Sequence, residues 1–126
     1  MRKLFLIPLF FAPLLMQAQT DTTAKLKDAA QQWAVFNASN QTDTSMIASM
    51  QADYNSVLGT DSLNATANQG LGDIYNSLAY YWANLAQPLE SSNPTLYATY
   101  ITKADNYTAL ATPYLQRYLA IKGITH

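Results

Sequence analysis

The chain has 126 residues, 49% of them hydrophobic and 12% charged, with a formal net charge of −1 at pH 7. That length suffices for one hydrophobic core, and no stretch is basic enough to grip a phosphate backbone, so nucleic acid is excluded as an expected partner. Cysteine is absent, which excludes disulfides, thiol chemistry and a cysteine-linked lipid anchor.

Arg2 and Lys3 precede an uncharged apolar run from Leu4 to Met16, closed by Gln17-Ala18-Gln19. A bilayer-spanning helix needs about 20 residues, so the run is expected to be a secretory signal cleaved after Ala18. An uncleaved anchor helix is the competing reading. The expected organisation is a signal peptide over 1–18 and one helical domain over 19–126, exported to the periplasm or outside the cell, with no membrane span in the mature chain. Losing Arg2 and Lys3 from seven basic residues leaves five against eight acidic, net −3. Asn, Gln, Ser and Thr dominate the polar positions, so solubility is expected to rest on neutral hydrogen-bonding groups.

Four segments with helical spacing follow, and none alternates as a strand does. The first, about Thr22 to Ala38, repeats Leu26, Ala30, Trp33 and Phe36 at three- and four-residue steps, with Asp21 or Thr22 as cap. Ser39-Asn40-Gln41-Thr42 interrupts it, and Asp43 or Thr44 can cap a second helix carrying Ile47, Met50, Tyr54, Val57 and Leu58 on one face. Gly59 is expected to stop that helix in a left-handed conformation. The third segment, about Asn64 to Ala86, places Ala67, Leu71, Ile74, Tyr75, Leu78, Tyr81, Trp82 and Leu85 on a broad apolar face. Pro88 to Pro94 reads as a loop. The fourth, from near Thr95 to about Ile121, spaces Tyr97, Tyr100, Ala104, Tyr107, Ala111, Tyr114 and Tyr118 by three and four, a seam for a partner helix. Pro113 lies inside it and is expected to bend the helix, a full break being the alternative.

The stretch from Tyr54 to Tyr75 reads Y-N-S-V-L-G-T-D-S-L-N-A-T-A-N-Q-G-L-G-D-I-Y. It resembles the junction between two tetratricopeptide repeats: Tyr54, Val57 and Leu58 match the end of one unit, Asp61 and Asn64 the turn, and Ala67, Leu71, Gly72 and Tyr75 the next helix. Ser62 stands where that family usually has proline and Asn68 where it usually has tryptophan. The segment from Lys103 to Leu119, with Ala111-Thr112-Pro113-Tyr114-Leu115, is similar to the long last helices of exported tetratricopeptide proteins of Bacteroidetes type. The resemblance implies an all-α fold of four helices, stacked as two antiparallel helix pairs with the second pair extended. Independently of it, a glycine in mid-helix at Gly72 costs about 1 kcal/mol against alanine, which close approach of a neighbouring helix would offset. A surface glycine is the alternative.

Raw material for catalysis is scarce. His126 is the sole histidine and the last residue, Glu90 is the sole glutamate, and no Cys is present, so zinc and paired-carboxylate sites are not expected. Asp73 and Asp105 are read as solvated or paired with Lys103 or Arg117. Gly70-Leu71-Gly72 lies in a helix rather than after a strand, unlike a phosphate loop. The tyrosine stripe is read as core with hydroxyls reaching the edge, or as the lining of a peptide or glycan site. Asp21-Thr22-Thr23 and Asp61-Ser62-Leu63 look like the O-glycosylation pattern of Bacteroidetes-type exported proteins.

The expected function is non-enzymatic: a helical-repeat module for protein–protein or protein–peptide interaction, with no cofactor or metal, and with self-association open because two repeat units are few. In tetratricopeptide folds the first helix of each unit lines the concave face. The resemblance therefore implies ligand contact by Thr66, Gln69, Asp73, Asn76, Ser77 and Tyr80. The alternative is a secreted four-helix carrier holding a small apolar or glycan ligand between the third and fourth helices.

Overall fold

The structure, a computed structural model, describes the backbone of residues 2–124 and the side chains of residues 20–124. It is all-α: α1 (Arg2–Ala38), α2 (Ile47–Thr60), α3 (Ala65–Ala86) and α4 (Pro94–Ile121), with short 3-10 turns at Thr44–Met46 and Gln87–Leu89 and no strand among the described residues. The expected start of the first helix at Thr22 is corrected. Asp21 and Thr22 lie inside α1, because Gln17 to Thr23 contains no proline or glycine to stop the helix. The side chains of the expected signal and His126 lie outside the described residues. Among the described residues no helix is long and apolar enough to cross a membrane.

The chain reverses between α1 and α2 through a Schellman-type cap. The Gln41 amide donates to Phe36 O (3.0 Å) and the Asn40 amide to Asn37 O (3.0 Å). Asn40 (φ 56°) and Gln41 (φ 59°) both adopt left-handed backbone, which asparagine tolerates and glutamine rarely does. Asp43 then accepts from the Ser45 amide (3.1 Å) at the entry to the second hairpin arm, and those hydrogen bonds hold its carboxyl below the usual range.

The α2–α3 junction is the polar keystone. Gly59 does not end α2: the helix runs on to Thr60, and Asp61 (φ −144°) makes the exit with its amide bonded to Val57 O. Asn64 caps α3, accepting from the Ala67 amide at 2.9 Å. Asn68, fully buried, donates to Asn64 O (2.9 Å) and Ser62 O (3.2 Å) and accepts from Arg117 of α4 (3.1 Å). The carboxamide reaches Ser62 O across the turn and adds a second donor to Asn64 O, which the Asn68 backbone amide already meets.

The core gathers Ala29 and Phe36 of α1, Ile47, Met50, Tyr54 and Val57 of α2, and Ala67, Leu71, Ile74 and Leu78 of α3. On α1 the expected Ala30 is exposed and Ala29 is buried in its place, one position earlier, with Leu26 and Trp33 packed against the cluster. Of the broad α3 face, Leu85 is exposed, and Ala86 beside it is buried instead. Helix α3 is central, packed against α2 on one side and along α4 on the other.

The α3–α4 seam follows the expected tyrosine spacing. Ala104 and Ala111 are buried, and Tyr75 stacks on Tyr107 and Tyr114 (centroids 6.2 and 5.9 Å). Trp82 meets Tyr100 edge-on at 5.1 Å. Pairing of early α3 with late α4, Asn68 with Arg117 at one end and Trp82 with Tyr100 at the other, makes the two helices antiparallel. Helix α4 continues through Pro113 without a break. Along it Thr99, Thr102, Thr108 and Thr112 each turn the hydroxyl back onto the carbonyl four residues earlier (2.9–3.1 Å).

Two glycines set how closely the helices meet. Gly72 is buried, and a Cβ there would lie 2.6 Å from Leu115 Cγ of α4, so its bare Cα admits the neighbouring helix. Gly70, one residue pair earlier, faces the other way: a Cβ would lie 2.7 Å from a ring carbon of Tyr54 in α2. Together they let α3 be approached closely from both sides.

Candidate functional site

All six residues expected at a ligand face line one groove of about 560 Å³. Thr66, Gln69, Asp73, Asn76, Ser77 and Tyr80 recur at three- and four-residue steps and form the α3 wall. Thr66, Gln69 and Tyr80 are exposed and Asn76 is half-buried, whereas Ser77 is largely buried and offers little of itself to a ligand. The opposite wall comes from Trp33 and Asn37, four residues apart on one face of α1, and from Gln41 in the reversal that follows the helix. Tyr54 of α2 and the open Cα of Gly70 make the floor.

Packing fixes that floor. The Tyr54 side chain is buried, its ring rests against Gly70, and its hydroxyl accepts from the Trp33 indole N–H at 2.9 Å. One hydrogen bond thus couples the α1 wall to the floor. Burial raises the Tyr54 hydroxyl above its ordinary pKa, the Trp33 hydrogen bond opposing it. At the α1 rim Gln41 donates to Asn37 Oδ1 (2.9 Å).

Asp73 is the carboxylate in the groove wall. Its side chain is exposed, and partial desolvation by the groove walls raises its pKa above the ordinary carboxylate range. The pairing considered for it from sequence is corrected, because the two α4 cations are engaged elsewhere. Lys103 lies over the Trp82 ring, 4.1 Å from its centroid, and Arg117 donates to Asn68. Between α1 and α2, Asp53 meets Asp28, with Gln32 donating to both (2.6 Å to Asp28, 3.5 Å to Asp53). Desolvation first, then the hydrogen bond and the charge of Asp28, push Asp53 up to about 6, with Lys25 opposing.

A second groove of about 340 Å³ runs between α3 and α4, lined by Ala79, Tyr80, Ala83, Ile101, Ala104 and Thr108 among others. Asn76 and Tyr80 border both grooves, and Tyr80 is 71% exposed, so it stands as the ridge between them. Among the described residues no three His, Cys, Asp or Glu side chains are grouped to hold a metal ion.

The sequence did not point to the α1 wall. Trp33 and Asn37 offered a signal at i and i+4, but they lie outside the stretch that carries the repeat resemblance, and Gln41 joins them only through the turn after α1. Gly70 was read only as not belonging to a phosphate loop, since its partner Tyr54 is sixteen positions away and its closeness appears only in three dimensions. Comparison of the chain with protein-family models, with curated proteins and with solved structures finds no match.

Proposed function

We propose that this chain is an exported, non-enzymatic helical-repeat module that binds an extended segment of another protein in the groove between α1 and α3. The observation that carries the reading is the convergence of the six α3 residues and the α1 stripe on one groove. Thr66 to Tyr80 spans about 21 Å of helix at 1.5 Å per residue, the length of about six residues of extended chain. Asn37, Gln41, Gln69 and Asn76 supply both donors and acceptors, the complement that a peptide backbone presents. Trp33 and Tyr80 add apolar faces with little rotamer entropy to lose. The tetratricopeptide resemblance supports the same face, since first helices of successive units line the ligand side.

The test is replacement of Asn76 and Tyr80 together by Ala, with circular dichroism to check the fold. Loss of partners captured from a periplasmic extract is expected, and unchanged capture would refute this face. A second reading, a carrier for a small apolar or glycan ligand between the long helices, is favoured by the alanine- and isoleucine-lined α3–α4 groove. Native mass spectrometry of gently purified protein distinguishes the two by a bound small molecule.

A further inference from the structure

The α1–α3 groove is walled by uncharged groups except at one point. Asp73 sits midway along the α3 stripe, seven residues after Thr66 and seven before Tyr80. Its side chain is exposed to the groove, whose walls partly desolvate the carboxyl, and among the described residues no hydrogen bond or opposite charge offsets that effect. The cations of α4 do not neutralise it: Lys103 covers Trp82 and Arg117 serves Asn68. A partly desolvated carboxylate without a partner is unfavourable, and a ligand bringing a cation would remove that cost on binding. Neutral backbone or sugar hydroxyls would offset less of it. Trp33 and Tyr80, which line the same groove, present π faces that also favour a cation over a neutral group.

Resting on the peptide-groove reading above, we propose that the bound segment is an extended peptide carrying one lysine or arginine, whose charge seats at Asp73 while carboxamides on either side take the backbone. The cation fixes the register of the segment, because the groove has a single charged position and the remaining contacts are alike along its length. A segment with an acidic residue at that register is rejected by like charge.

The probe is four immobilised pools of nonapeptides, capped at both ends and random at eight positions, with Lys, Arg, norleucine or Glu at the centre. Retention of the full-length protein on the Lys and Arg pools is expected to exceed that on the norleucine pool about tenfold, the order of a charge-assisted hydrogen bond, with the Glu pool lowest. Asp73→Asn should bring the Lys and Arg pools down to the norleucine level, and Asp73→Glu should restore part of the preference. Equal retention of the Lys and norleucine pools by the unaltered protein overturns the inference, whatever the variants do, as does a preference that survives in Asp73→Asn. The groove reading fails separately. It falls if no pool is retained, or if Asn76→Ala with Tyr80→Ala leaves retention on all four pools unchanged.

Discussion

Gly70 and Gly72 stand two residues apart in one helix and have different energetic stakes. A methyl group at Gly70 meets the Tyr54 ring, which is buried and tied to Trp33, so the ring cannot swing aside. Gly70→Ala should therefore destabilise the protein by about 1–3 kcal/mol despite the better helix propensity of alanine, seen as a lower urea midpoint. At Gly72 the obstacle is the Leu115 side chain, which is half-exposed and can change rotamer. Gly72→Ala should cost less than Gly70→Ala, and the reverse order in urea denaturation would contradict this account of the two contacts. Asp53 sets a different dependence. Its carboxyl titrates near 6 in the folded chain against an ordinary value of 3.8, so between about pH 4 and 6 the folded state keeps a proton that the unfolded state releases. Stability consequently falls as pH rises through that window and levels off above it. Asp53→Asn should flatten the slope and raise the melting temperature at pH 7, as thermal denaturation at several pH values would show.

At the level of helices and their ends, the α1–α2 reversal holds backbone strain at the groove rim. Gln41 adopts a left-handed conformation that glycine takes without penalty, and its side chain makes one exposed hydrogen bond to Asn37. Gln41→Gly should stabilise the fold by about 0.5–1 kcal/mol, measured as a raised urea midpoint; a lowered midpoint would mean that the bond to Asn37 outweighs the strain. The extents of α3 and α4 were legible in the sequence because their apolar residues keep helical spacing, and Asp43 was legible as a cap, although it caps the 3-10 turn that leads into α2 rather than α2 itself. The start of α1 was not, since its continuation through Asp21 breaks no local rule. Nor was the end of α2, where Gly59 offered a stop that the helix does not use. The Asn68 network was also hidden. Nothing local distinguishes a buried asparagine that joins a turn to Arg117, forty-nine positions later, from a surface one.

Across the whole molecule, packing is uneven. Helix α3 is covered on two sides, whereas α1 touches the rest mainly through α2. Local opening is easiest where few apolar contacts must be broken, so amide hydrogen exchange should be slowest at residues 70–79 of α3 and fastest, among helical residues 20–86, in the part of α1 before Asp28. Uniform protection across both segments would contradict that gradient. The six α3 residues that the repeat resemblance picks out line one groove because they share a helical stripe. The groove itself needs α1 to stand opposite, a relation fixed by the reversal at Asn40 and by Tyr54 beneath it. The threonines of α4 carry a last consequence. With Thr99, Thr102, Thr108 and Thr112 donating their hydroxyl hydrogens to carbonyls, those positions offer solvent a methyl group and acceptor lone pairs but no free donor. Repulsion between copies is weak at a net charge of −1 for the full chain or −3 without residues 1–18, so a second virial coefficient measured across salt concentrations should change little.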